Sequence, residues 1–216
     1  YDWRSHTLAA SKIIRRFNHY SRRGNGFGKE AVACATIYKQ NRKSSVLTYY
    51  FMNYKLAQEL KKMRDQDQRM IKNSVWNLKT YQRHVTRLKE IINRYGWPTH
   101  NLVGEQGSNA AWLLAQHSDR FPAFQKRCLK LLKEAVRKKQ ASKEDLAYLT
   151  DRVLVHRGKK QLYGTQFYVS LSGKHGPRPI RDFKNIEQRR KEAGMQPFSE
   201  YEAGLRKKQA EYEQKQ

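Results

Sequence analysis

The sequence predicts a mainly α-helical domain with little or no strand, preceded by an extended, basic N-terminal arm. Apolar residues recur at helical spacing through the middle of the chain, whereas strand-like alternation is confined to Gln166–Leu171. We expect a basic, aromatic-rich extension over 1–57, the helical domain over 58–205 and a charged helix end over 206–216. With 216 residues, the chain is long enough to bury a core.

The first two predicted helices are indicated by apolar stripes, and the second has a clear C-terminal end. A loose apolar stripe runs from Leu60 to Leu78, and a cleaner stripe follows from Val85 to Ile92. The second stripe stops before Tyr95-Gly96-Trp97-Pro98, where Gly and Pro are expected to end the helix. Ser108 is expected to cap a short helix that extends to Gln116.

The next helix combines an apolar stripe with a cationic face. Its stripe begins at Phe121 and ends at Ala135, with Pro122 in the first turn. The opposite face carries seven basic residues: Lys126, Arg127, Lys130, Lys133, Arg137, Lys138 and Lys139. Ser142 with Asp145, and Ser199 with Glu202, have the spacing of capping boxes that open two further helices. The glycines and prolines of 172–179 indicate a loop.

The charge of the chain points to a polyanionic partner. The chain has 45 Lys and Arg against 19 Asp and Glu, a formal net charge of +26. Such a surplus repels itself unless a polyanion neutralises it, and RNA is the commonest one. An ordinary small-molecule enzyme is therefore not the default interpretation. No apolar run approaches the roughly 20 residues of a membrane span, so we expect no membrane insertion.

The arm mixes cations with aromatic residues, a combination typical of contacts with phosphates and unpaired bases. The same aromatics are equally compatible with packing on the domain. The expected RNA-binding residues are Arg15, Arg16, Arg22, Arg23, Lys29, Lys39, Arg42, Lys43, Arg127, Lys130 and Lys138. The acid-poor start also resembles the end of an organellar transit region, and we expect a mitochondrial location. Two cysteines without a CxxC pair fit a reducing intracellular compartment, and we expect no cofactor and no metal.

The most chemically suggestive cluster is Gln116-His117-Ser118-Asp119. His117 and Asp119 could converge on a ligand, joined through folding by Asp67 or Asp151, because acid–base chemistry needs paired groups within hydrogen-bond reach. The structural alternative is that His117 complements a helix C-terminus and Asp119 caps the next helix. Asp145 is a further carboxylate that folding would have to bring in for a metal site.

Several segments together resemble an uncharacterised bacterial domain family of unknown function. The resemblance covers about residues 57–205 and rests on these segments: Asp65-Gln66-Asp67-Gln68-Arg69, Tyr95-Gly96-Trp97-Pro98, Leu102-Val103-Gly104, Ala110-Ala111-Trp112-Leu113, Gln116-His117-Ser118-Asp119, Phe124-Gln125, 145–152, 161–166 and Pro177-Arg178-Pro179-Ile180. It implies no established activity. Residues 1–56 have no counterpart in the family pattern, and the charge of the domain exceeds what we expect of such proteins.

The sequence thus predicts a structural or accessory RNA-binding component of a large ribonucleoprotein particle, with a mitochondrial ribosome as the favoured host. Its partners would be ribosomal RNA and neighbouring proteins of the particle, with no obligate small-molecule ligand. The alternative is a hydrolase or nucleic-acid-processing enzyme whose polar site uses His117, Asp119, Asp67 and Asp151. A module that binds a protein through exposed aromatic residues is a third hypothesis.

Overall fold

The computed structural model describes residues 45–75, 77–169 and 175–213, and within them the side chains of 53–75, 77–168 and 175–211. Eight of the eleven predicted RNA-binding cations, from Arg15 to Lys43, lie outside the described residues. The chain divides into two units, Tyr1–Lys55 and Leu56–Gln216. The second unit contains the core and both polar clusters described below.

The described part of the chain is mainly α-helical, as the sequence predicts. Its elements are α1 (Ser45–Lys72), α2 (Leu78–Tyr95), α3 (His100–Gln116), α4 (Pro122–Arg137), α5 (Lys143–His156), β1 (Phe167–Val169), β2 (His175–Pro177), a 3-10 turn (Phe183–Asn185), α6 (Ile186–Glu192) and α7 (Phe198–Glu213). The two strands pair antiparallel, with Tyr168 opposite Gly176.

The apolar core is built from residues of the first five helices, α1 to α5. Leu60 of α1, Leu88 of α2, Leu132 of α4 and Leu149 of α5 are all completely buried in it. α4 packs most extensively on α5, and α5 also contacts α3. A second, smaller cluster joins Ala147 of α5 to residues 193 and 195, which follow α6.

The strongest sequence signals are confirmed. The stripe of α2 is buried, and the helix ends at Tyr95 with Gly96 as its C-cap, whose φ of +73° is left-handed and favours glycine. α4 begins at Pro122 and packs its predicted apolar stripe on the core, with Phe121 and Leu131 partly buried, while all seven cations of the opposite face are exposed. The Ser142 side chain caps α5 by accepting a hydrogen bond from the backbone N–H of Asp145 at 3.2 Å.

Three local predictions are wrong. Ser108 is buried inside α3, which begins eight residues earlier at His100 and is kinked at Gly104. Ser199 lies within α7, because that helix already begins at Phe198. The segment predicted as a loop over 172–179 contains β2, whose pairing with β1 needs no apolar alternation of its own.

The start of the domain also differs from the predicted stripe. α1 ends at Lys72, so Val75 lies in the connection to α2, and Leu78 is the first residue of α2. Both side chains, together with Ile71, are exposed rather than buried. Each helix of the described residues is too short or too polar to span a lipid bilayer.

Candidate functional site

His117 and Asp67 form a close pair at the end of α3. The Nδ1 atom of His117 lies 2.6 Å from Oδ2 of Asp67, on α1. The Asp67 side chain is buried, whereas 21 % of the His117 side chain is exposed to solvent. A carboxylate only accepts, so this contact assigns a proton to Nδ1, and Nε2 is the acceptor of the ring in its neutral form. A histidine oriented in this way is equipped to accept a proton from a bound group.

A second histidine lies in the same cluster. His84 on α2 is within 3.1 Å of the Gln66 amide oxygen, and Gln68 donates a hydrogen bond to the Asp67 carboxylate at 3.3 Å. Burial lowers the pKa of His84, although the Asp67 charge opposes the shift. His84 is therefore neutral near pH 7 and supports the cluster without adding a charge.

Asp119 and Arg152 form the centre of a second polar cluster. Arg152 of α5 donates two hydrogen bonds to the Asp119 carboxylate, 3.0 Å from Nε and 2.5 Å from Nη2. Gln125 donates a third at 3.1 Å, and His156 lies 3.5 Å from Oδ1. Burial raises the pKa of Asp119, but Arg152, Gln125 and His156 outweigh it, so the net pKa lies below the usual value. The carboxylate is therefore charged and already engaged.

Asp151 anchors the loop that follows α5. Its carboxylate accepts hydrogen bonds from the backbone N–H groups of Leu162, Tyr163 and Thr165, at 2.7 to 3.2 Å, and from the Thr165 hydroxyl at 3.0 Å. Burial raises its pKa against these bonds. With its oxygens occupied by these bonds, Asp151 fixes the loop to the end of α5.

The loop held by Asp151 reaches the second cluster through Gln166. The amide oxygen of Gln166 accepts a hydrogen bond from Arg152 at 3.1 Å. The buried Gln161 fixes this segment, because its side chain bonds the backbone of both Gln166 and Arg178. Arg152 is thus held on two sides, by Asp119 and by the loop.

The structure divides the four residues of the alternative catalytic set among three environments. Asp67 is in direct contact with His117, Asp119 is paired with Arg152, and Asp151 is bound to the loop. Asp145 accepts a hydrogen bond from Asn109. In the described part of the chain, no group of three or more His, Cys, Asp or Glu side chains is arranged to hold a metal ion.

Gln125 is a central residue that the sequence analysis did not single out as a site. It lies on the buried face of α4 at 1 % exposure and donates to the backbone oxygens of Ala115 and Gln116 as well as to Asp119. The available signal was a polar residue within an apolar stripe, between Phe124 and Cys128.

A groove of about 200 Å³ adjoins the second cluster. Pro122, Ala123 and Lys126 form its α4 side, with Gln125 at the same end of the helix. The opposite side consists of Val153, His156 and Arg157, at the end of α5. Asp or Glu side chains are absent from this lining.

The cations predicted to contact RNA are exposed wherever they are described. Arg127, Lys130 and Lys138 all project from the outer side of α4 or its C-cap. Arg127 donates a hydrogen bond to Asn93 at 2.8 Å, which orients its guanidinium at the surface.

A model of the family of unknown function DUF6624 matches residues 55–212. The chain belongs to this family. The match spans about three quarters of the sequence and contains both polar clusters of the DUF6624 domain. Neither the curated proteins nor the solved structures contain a match to this chain.

Proposed function

We propose that the chain is a structural or accessory RNA-binding component of a ribonucleoprotein particle, located in the mitochondrion, with the mitochondrial ribosome as the favoured host. The observation that carries the proposal is the cationic face of α4: Lys126, Arg127, Lys130, Lys133, Arg137, Lys138 and Lys139. All seven side chains are exposed. The one acid of this helix, Glu134, is engaged by Arg137 at 3.0 Å.

This arrangement suits a phosphate backbone. Phosphate contacts need exposed cations that project in one direction, and each neutralised phosphate releases counterions, which drives association. The cationic face adds to the net charge of +26 that the whole chain carries. A bound polyanion would relieve the repulsion between neighbouring cations on the same face.

The test is the salt dependence of RNA affinity. The charge reversal Arg127→Glu, Lys130→Glu and Lys133→Glu should lower affinity at least about tenfold and make the slope of log affinity against log salt shallower by roughly 1 to 2. The matched control reverses the exposed Lys191, Lys207 and Lys208, which changes the net charge equally and should have a smaller effect. Absence of RNA binding at low salt, or equal losses in both triple variants, would contradict the proposal.

The choice of particle has its own test. The full chain should sediment with ribosomal subunits from mitochondria and leave that fraction after RNase treatment. A protein that stays at the top of the gradient at low salt does not belong to such a particle.

The second candidate function is hydrolysis with His117 as general base, favoured by the 2.6 Å contact between His117 and Asp67. Nε2 would accept a proton from a water molecule as the water oxygen bonds to the phosphorus of a phosphodiester. The bond from phosphorus to the leaving oxygen breaks, and that oxygen takes a proton from solvent, while Asp67 would hold the imidazole in the required tautomer. The measurement is cleavage of RNA and of activated phosphodiesters. His117→Gln should lower the rate about 100-fold or more, whereas turnover that is unchanged in this variant would contradict the assignment.

A further inference from the structure

The groove between the start of α4 and the end of α5 has the size and the lining of a site for one small flat molecule. Its volume is about 200 Å³, below the 300 to 1,000 Å³ typical of sites for drug-sized ligands. Pro122, Ala123 and Val153 give it apolar walls, and the His156 imidazole supplies an aromatic surface.

The orientation of the Gln125 side-chain amide, in the lining of the groove, is fixed by its hydrogen-bond partners. The amide nitrogen of Gln125 faces three acceptors, the backbone oxygens of Ala115 and Gln116 and the carboxylate of Asp119. This assigns the Gln125 amide orientation, because only the NH₂ group donates. Oε1 is left as an acceptor, and none of the described residues donates a hydrogen bond to it.

The rim of the groove is positively charged. Lys126 and Arg157 are both exposed, and neither forms an ion pair with a described carboxylate. The nearby Asp119 is neutralised by its two hydrogen bonds with Arg152. An anionic group attached to the bound molecule would therefore meet two cations and no competing acid within the lining.

We propose that this groove binds a single unpaired nucleotide of an RNA strand. The base lies against Pro122, Val153 and His156, and the phosphate lies at Lys126 and Arg157. An acceptor at Gln125 Oε1 favours a base with an exocyclic amino group, such as cytosine, over uracil. Stacking of an unpaired base on a side chain is the usual way in which proteins recognise single-stranded RNA. The inference rests on the RNA binding proposed above and adds the strand type and the position of the contact.

The experiment compares a groove-filling variant with a matched control. Ala123 is exposed on the first turn of α4, so Ala123→Trp fills the groove without removing a charge. Gln106→Trp places the same side chain at an exposed position of α3, away from the groove lining. The full chain and both variants are titrated with a fluorescent single-stranded cytosine-rich RNA, the corresponding uracil-rich strand and a duplex of equal length.

The wild type and Gln106→Trp should prefer the single strands over the duplex, and the cytosine-rich strand over the uracil-rich strand. Ala123→Trp should lose about 5- to 150-fold in affinity for the cytosine-rich strand, the range expected for one stacked base, and keep its duplex affinity. Cytidine monophosphate should compete for the wild type at millimolar concentration and fail to compete for Ala123→Trp.

Each contrary result has a distinct meaning. Unchanged single-strand affinity in Ala123→Trp overturns the groove assignment and leaves RNA binding intact, and an equal loss for single strand and duplex overturns it as well. Binding of cytidine monophosphate without any preference for single strands assigns the groove to free nucleotides and overturns the RNA-strand assignment. Absence of all RNA binding in the wild type overturns the proposed function itself.

Discussion

His117 and Asp67 are fifty positions apart, yet a ring nitrogen of one and a carboxylate oxygen of the other are separated by 2.6 Å. The contact ties the end of α3 to the second half of α1. Because Asp67 is buried, most of its interaction with water is replaced by this bond and by the weaker one from Gln68. Stability should therefore depend on the pair, whatever chemistry His117 performs.

Asp67→Asn should lower the free energy of unfolding by about 1.5 to 3 kcal/mol, the range for hydrogen bonds to charged groups. The matched control is Asp65→Asn, two residues earlier, whose carboxylate is exposed and pairs with Arg64. An exposed pair of this kind contributes at most about 1 kcal/mol. Urea denaturation measures both variants, and equal losses would show that the Asp67 contact is not stabilising.

Asp145 should make stability depend on pH. Burial, followed by the charge of Glu144, raises its pKa from 3.8 to about 7, against the hydrogen bond from Asn109. Folding therefore takes up a proton between about pH 4 and pH 7, so this contribution is largest below pH 4 and is lost as the pH rises towards 7.

Asp145→Asn should remove this dependence and raise the free energy of unfolding at pH 8 by about 2 to 4 kcal/mol. Chemical denaturation at several pH values between 4 and 8 measures the slope. Glu144→Gln, which changes the exposed neighbour, should leave most of the slope in place. A slope that is the same in the wild type and in Asp145→Asn would contradict the prediction.

Two glycine substitutions should act in opposite directions. Gly164 has a φ of +71°, and an added Cβ would lie 2.5 Å from the Phe198 ring. Gly164→Ala should therefore cost more than about 2 kcal/mol. Gly204 lies in α7 with no atom near its Cβ position, so Gly204→Ala should stabilise by about 0.5 to 1 kcal/mol. Thermal unfolding of both variants checks the sign, and a stable Gly164→Ala would contradict the geometry.

Cys128 should be inert in the folded protein. The side chain is completely buried, and burial raises the pKa of its thiol to about 12. In a Cys34→Ser background, a colorimetric disulfide reagent at pH 8 should modify Cys128 only after denaturant is added, because the thiolate is the reactive form. Rapid modification without denaturant would show that this part of α4 opens readily.

Deletion of residues 1–57 should reveal how much of the RNA contact the arm provides. It removes nine of the 26 net charges, so RNA affinity should fall and the salt slope should become shallower. We expect a larger effect than from reversing Arg127, Lys130 and Lys133, since a helix face reaches few phosphates at once. An unchanged slope would place the contact in the domain. Circular dichroism provides the folding control, because the deletion also removes the buried Leu56 and the start of α1.

The helices with a continuous apolar stripe were predictable from the sequence, and α3 was not. Its first half contains Gly104, Gly107 and Ser108, which are poor helix formers. An added Cβ at Gly107 would lie 2.8 Å from the Val103 Cβ, one turn earlier in the same helix, and in ordinary contact with the Ala57 backbone of α1. Glycine is therefore needed where the buried Val103 side chain fills this space, which local helix propensity does not encode.

The residues of the candidate site could be predicted from the sequence, but the hydrogen-bond partner of each residue could not. His117, Asp119, Asp67 and Asp151 are recognisable as chemically capable residues, but their partners come from α1, α5 and the loop after α5. Which carboxylate reaches His117 depends on how α1 crosses the end of α3. Spacing along the chain contains no information about that crossing.

The Asp151 anchor has a consequence for how the domain opens. The main apolar core draws on residues 56–153. The segment from 161 onwards combines a few buried apolar side chains, such as Ile186 and Phe198, with buried polar groups, and Arg190 donates to the backbone oxygens of Tyr163 and Gln196. Hydrogen bonds of this kind break together once water enters, while the core helices keep their contacts. We therefore expect the amide protons of the segment from 161 onwards to exchange with solvent before those of the core helices.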